Sequence, residues 1–288
     1  MRATIAFGVA RSLMCGLIFA GASQAARAQS DSPAQALLDS KFVVNLGGFI
    51  VGTDTTARLN GSTASNPDVD FDETFGKASD ATRVRADALW RITPTHHVRF
   101  LYFDNTINRS HVIDRTIEWG DYTFQAGVNV DSQTKFKIVE LAYEYAFLRQ
   151  PTYEVAGSLG IHYMQLSMRL SGAATLKDSN GNVSQASFTT KESSVPVPLP
   201  VIGMRAGWAV APNWYLDIQG QIFKADIGEY NARVTDVRAG ATWMFSRNFG
   251  VGLGYNRFRT TVDVDKESYN GRVRLGYSGV QLFLTGAF

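Results

Sequence analysis

The chain has 288 residues, 28 Lys+Arg against 26 Asp+Glu, 45% hydrophobic residues and one cysteine. A single cysteine rules out a disulfide framework, and the near-even charge argues against a nucleic-acid partner. Beyond the N-terminus no apolar run is long enough for a spanning helix.

The first 28 residues read as a secretory signal peptide. Arg2 and Arg11 precede an apolar run, Ser12 to Ala22, and Ala26-Arg27-Ala28 fits a small-residue cleavage site before Gln29. The run is too short to span a bilayer. Met14 before Cys15 is a poor match to a lipid-attachment site. Removing this segment takes away the cysteine and lowers Lys+Arg from 28 to 25 against 26 Asp+Glu, a net charge of −1. An exported chain without cysteine must be stabilised by something other than cross-links. The next twelve residues, 29–40, form a short segment in which Ser32 and Pro33 can open a helix.

From Lys41 onward the pattern has period two. Val84, Ala86, Ala88, Trp90 and Ile92 alternate with Arg83, Arg85, Asp87, Leu89 and Arg91. Val237 to Phe245 and Phe249 to Tyr255 alternate likewise. Ten segments follow this rule, near 41–53, 80–92, 97–108, 134–147, 153–170, 200–210, 214–226, 232–245, 249–262 and 270–288. Tight turns rich in Pro and Asn, "TPTH", "LRQPT", "APN" and "SRN", alternate with longer connections. The longest are 54–79, 109–133 and 172–194. An even strand count then places both termini and all the tight turns at one end.

A water-soluble sandwich has no reason to sort its loops in this way, whereas a transmembrane barrel does. Trp90, Phe147, Tyr153, Trp208, Trp214, Phe245, Phe249 and Phe288 all flank the short-turn end, as an interfacial aromatic belt requires. The expected fold is therefore all-β: a transmembrane, antiparallel, up-and-down β-barrel over 41–288. It has ten strands, with eight or twelve as alternatives, and both termini periplasmic. The signal peptide, the alternating strands and the terminal Phe288 resemble the bacterial outer-membrane β-barrel class. That resemblance implies an outer-membrane location, with lipid and lipopolysaccharide as neighbours. It also implies that the barrel-assembly machinery reads the last strand. The chain is taken as a monomer with no nucleic-acid partner.

The inward face is expected to carry Arg83, Arg85, Asp87, Arg91, Arg99, Glu140, Glu144, Glu154, Arg205, Asp217, Arg238, Arg272 and Arg274. Ten strands enclose little space, so these side chains should pair across the lumen and plug it. A narrow pore is the alternative. Pro196, Pro198 and Pro200 raise a second possibility. At alternate positions they withhold backbone donors from one side of a strand, which would leave a lateral gap in the wall. The simpler reading puts them in a loop, with pairing starting at Pro200. A lipid-modifying enzyme or a surface protease is a further alternative. Its candidates are Ser110, His111, His162, Asp104 and Asp226, with His96 and His97 at the wrong end, and none matches a catalytic motif. Asp68, Asp70 and Asp72 lack the spacing of a calcium loop. Arg109, Arg115, Lys135 and Lys137 are candidate rim cations. No residue set calls for a metal or cofactor.

Overall fold

A computed structural model of the chain describes residues 32–61, 65–76, 81–177, 183–227, 230–266 and 269–288. Residues 1–28, read from the sequence as a signal peptide, lie outside the described residues. The strands are β1 (Phe42–Leu59), β2 (Val69–Asp70), β3 (Ala81–Arg91), β4 (His96–Val112), β5 (Ile117–Trp119), β6 (Tyr122–Phe124) and β7 (Asn129–Gln150). They continue with β8 (Tyr153–Lys177), β9 (Val183–Ala211), β10 (Trp214–Ile227), β11 (Tyr230–Met244), β12 (Phe249–Lys266) and β13 (Tyr269–Ala287). Two short helices, α1 (Ala36–Asp39) and α2 (Phe71–Phe75), complete the elements, with a 3-10 turn at Pro33–Gln35 leading into α1.

Ten strands form a closed antiparallel ring in chain order: β1, β3, β4 and β7 to β13. The ring closes where β13 pairs with β1 from Val43↔Ala287 to Leu59↔Gly271. Closure leaves no full-length edge, which is the one way an all-β wall satisfies its backbone groups without water. The alternation rule explains the wall. Along β4, Val98, Phe100 and Tyr102 point outward while His97, Arg99, Leu101 and Phe103 point inward. Large apolar side chains cover the outside: Leu284 is 66% exposed, whereas inward Phe103 is 0% exposed. Short turns join the strands at one end, at 92–95, 151–152, 212–213 and 245–248. At that end Phe42 N–H donates to the carbonyl of Phe288, and Phe288 N–H returns the bond, each at 2.8 Å.

Two expectations about the loop end are corrected. The stretches 109–133 and 172–194, read as polar loops, are largely strand. β4 runs to Val112, and β7 begins at Asn129. β8 and β9 continue as a hairpin paired out to Lys177↔Val183. Inward Val130, Leu170 and Ala174 keep the apolar alternation going, so pairing persists beyond the segments first assigned. The long connections also fold back as a cap. Phe71 and Phe75 of α2 pack with Trp119, Ile113, Ile117 and Phe124 in one buried cluster. Asp70 caps α2, its carboxylate accepting from the N–H groups of Asp72 and Glu73.

Candidate functional site

The lumen is filled in layers. At the short-turn end, residues 33–39 are inserted into the mouth. Ala34, Leu37 and Leu38 are buried against Val43, Leu89, Ala209, Tyr215 and Met244. Arg91 donates to the carbonyls of Leu37 (2.7 Å) and Ser40 (3.0 Å), and Arg149 donates to the carbonyl of Leu38 (3.0 Å). Arg149 also meets the Asp39 carboxylate at 2.8 Å. The orphan carbonyls at the end of the turn are thus taken up by wall cations.

Above this plug lies a charged layer. Glu154, Glu144 and Glu140 stand on neighbouring strands β8 and β7 and are linked by arginines. Arg205 bridges Glu154 (2.7 Å) and Glu144 (2.9 Å), and Arg99 bridges Glu144 (3.3 Å) and Glu140 (2.9 Å). Arg91, Arg149 and His97 also approach Glu154, at 3.9, 3.5 and 3.8 Å. His162 reaches Glu140 at 3.1 Å and stacks on Phe258. On the other side of the lumen Arg238 pairs with Asp87 (3.0 Å), which also accepts from Asn45 (2.7 Å). Arg85 is buried and donates to Asn256, and Arg83 donates to Asn105 and the carbonyl of Thr106. Asp217 and Gln219 line a cavity of about 70 Å³ that lies between this layer and Leu37 of the plug.

Arg272 and Arg274 do not belong to this set. On β13 the inward residues are Val273, Leu275 and Tyr277, so the two arginines fall on the other face. Arg272 pairs with Asp263 on β12, and Arg274 meets Asp68 at 3.2 Å. β13 pairs without a register shift, so the parity that turns Leu282 and Leu284 outward turns both arginines outward too.

The upper half of the lumen is mainly apolar, which composition did not foretell. Phe49, Phe103, Phe136, Phe258 and Tyr277 form a continuous aromatic core. Its ring centroids are 4.9–5.9 Å apart. The cap closes over that core. Arg109, expected at the rim, is buried and holds Asp72 at 2.6 Å, and the exposed Arg115 holds Glu73 at 2.6 Å. Asp68, Asp70 and Asp72 therefore serve three different partners: Arg58 and Arg274, the N-terminus of α2, and Arg109 with the Thr55 N–H.

The enzymatic candidates are scattered. Asp104 and His111 share β4 but lie seven positions apart, so by strand rise they are separated by about 23 Å. Asp104 accepts from the Tyr102 hydroxyl at 3.1 Å, His111 and Ser110 are exposed at the rim, and His162 sits deep in the lumen. The Asp226 side chain lies outside the described residues. His96 hydrogen-bonds with the Tyr143 hydroxyl at 2.5 Å beside the first short turn.

On the outer wall, Trp90, Phe147, Trp208, Trp214, Phe245, Phe249 and Phe288 are exposed, and Tyr153 is half-buried, all at the short-turn end. Phe42 and Trp243 join them, Phe42 stacking on Trp90 and Phe249 packing edge-on to Phe288. At the opposite edge of the apolar band, Lys224, Arg233, Arg257 and Arg259 are exposed on consecutive strands β10, β11 and β12. This patch was missed in the sequence because its members are remote from one another in the chain. Only the strand registers Lys224↔Arg233 and Thr235↔Arg259 bring them together.

The three prolines lie within β9 and not in a loop. Pro200, Pro198 and Pro196 stand opposite Ile161, Tyr163 and Gln165 in an unbroken ladder with β8. On its other side β9 pairs with β10 only from Ala211 to Ile202↔Ile222. Beyond that point β10 continues to Ile227, paired with β11 alone among the described residues.

A closed ten-strand up-and-down wall, apolar outside, belted at one end and filled inside, has the fold of bacterial outer-membrane β-barrel proteins. One solved structure supports this fold, and two others are looser likenesses. The outer-membrane protease OmpT of Escherichia coli superposes with a TM-score of 0.57 and 11% identity, over 87% of this chain and 97% of that one. The toluene transporter TodX of Pseudomonas putida covers 90% of this chain and 93% of its own at 8% identity, with a TM-score of 0.36. Ail of Yersinia pestis gives a TM-score of 0.29, 8% identity, and 85% and 98% coverage. The first likeness supports the fold alone, and the other two are too loose to argue from. No family model and no curated protein matches the chain.

Proposed function

We propose that this chain is an integral outer-membrane β-barrel with a closed lumen, a monomeric scaffold that displays its long connections on the cell surface. The outward apolar band and the aromatic belt support the membrane setting, with the short turns and both described ends on the periplasmic side. Outer-membrane lipid and lipopolysaccharide are then its surroundings, and the barrel-assembly machinery is its partner during biogenesis.

The observation that carries the closed-lumen reading is the stacking of four obstructions in series. These are the 33–39 plug, the Arg–Glu layer, the aromatic core and the α2/β5/β6 cap. An ion crossing the barrel would have to displace both buried ion pairs and packed aromatic rings. The protein reconstituted in a planar lipid bilayer is expected to give no stepwise conductance. Regular ohmic steps from the unaltered protein would overturn the closed lumen.

A further inference from the structure

The β9–β10 seam is open where a barrel wall should be continuous, and the reason is in the sequence. Ile202 forms the last pair with β10, and residues 200, 198 and 196 share its parity. The β8–β9 ladder runs unbroken through all three, which are prolines with no hydrogen to donate to it, so their backbone nitrogens face β10. The ladder with β8 is untouched because the prolines fall on its non-hydrogen-bonded positions. An open edge in hydrocarbon is normally prohibitive because each unsatisfied amide costs several kcal/mol. Prolines at three alternate positions remove the donors from one lip of the seam, the same device that blunts exposed edge strands.

The lower part of the seam lies at bilayer depth. Strands rise about 2.6 Å per residue along a barrel axis when tilted as in outer-membrane barrels. Ile202 is then about 16 Å above Trp208 of the belt, and Pro198 about 26 Å, against an apolar band about 25 Å tall. The seam thus opens within the outer leaflet. Behind it the lumen is apolar, with Leu199 and Val201 buried on β9 and Phe223 packed on the core from β10. Beside it, by the same rise, Lys224, Arg233, Arg257 and Arg259 stand about 21–26 Å above their belt residues, at headgroup level. None of the four is paired with a carboxylate among the described residues.

We propose that the seam is a lateral lipid site. The acyl chain of a net-anionic outer-leaflet phospholipid inserts between Leu199 and Val201 on one side and Phe223 on the other. Lys224, Arg233, Arg257 and Arg259 hold its phosphate. This rests on the membrane setting proposed above.

The test uses the full mature protein in phosphatidylcholine vesicles. They are doped with phosphatidylglycerol that carries a photoactivatable diazirine at the acyl terminus, and adducts are mapped by mass spectrometry. Adducts are expected on outward Leu253 and Leu282 and also on inward Leu199, Val201 or Phe223, with inward Phe103 and Ile138 on the intact wall spared. Bridging Pro200→Cys and Lys224→Cys with a short bis-maleimide should abolish the inward adducts and leave the outward ones. Pro198→Ala with Pro200→Ala, which restores two donors, should reduce the inward adducts and slow amide exchange at Lys224. The same diazirine on phosphatidylcholine should label the seam less. That preference should vanish in Arg233→Gln/Arg257→Gln/Arg259→Gln. Outward adducts without any at Leu199, Val201 or Phe223 would overturn the lateral site. Absence of outward adducts would instead overturn the membrane reading beneath it. Equal labelling by both headgroups would overturn the role of the basic patch.

Discussion

Glu154 shows how much a single lumen residue carries. It is fully enclosed, yet Arg205, Arg91, Arg149 and His97 converge on it from β9, β3, β7 and β4, so one carboxylate of β8 ties four other strands and the plug together. A buried ion pair adds little net stability over a well-packed apolar pair, but removing one member leaves buried charge uncompensated. Glu154→Gln is therefore expected to destabilise the barrel by about 3–5 kcal/mol. This would appear as a lower temperature for the folded-to-unfolded mobility shift in detergent electrophoresis. The exposed Arg115–Glu73 pair is the contrast: Arg115→Ala should leave that transition where it is, because solvent screens such pairs. Gly207 offers a steric test. It faces the lumen with the Tyr215 hydroxyl seated where a β-carbon would stand, and Tyr215 is hemmed in by the plug, so Gly207→Val should lower the transition temperature too.

At the scale of elements, the plug is the piece whose removal has the plainest consequence. Leu37 and Leu38 supply its apolar grip, and Arg91 and Arg149 hold its carbonyls. Leu37→Asp/Leu38→Asp puts two charges into an apolar pocket and should expel the segment. Protease added to the short-turn side should then clip the protein near residue 40, whereas the parent resists. A parent clipped equally fast would show that the segment does not occupy the mouth. The strand elements themselves were legible because period two is a direct consequence of a wall with two solvents. The inward parity of Arg83 to Arg91 and of Glu140 and Glu144 could be read from the chain for that reason. By the same rule Arg272 and Arg274 fall outside the lumen, since they share the unbroken even parity of outward Val280, Leu282 and Leu284. The apolar upper lumen was hidden, since Phe258 of β12 reaches Phe103 and Phe136 of the paired strands β4 and β7 only through ring closure. The prolines were legible as a puzzle, but which neighbour they deprive depends on register, and register is a property of pairs of strands.

For the molecule as a whole, the account places the greasy surface outside and most of the polar groups inside, the reverse of a soluble domain. Burial within the wall comes from two separate cores, one around the plug and one beneath the cap, with the ionic layer between them. The central claim is that lipid solvates the outer face, and the protein's own tryptophans report on it. Trp90, Trp208, Trp214 and Trp243 are exposed in the belt at the short-turn end, while Trp119 is fully buried in the cap. The decisive measurement is tryptophan fluorescence of the folded protein in vesicles whose acyl chains carry bromine near the glycerol or near the bilayer centre. The account predicts strong quenching by the shallow bromines, weaker quenching by the deep ones, and a residual unquenched emission from Trp119. Fluorescence indifferent to bromine at either depth would contradict it.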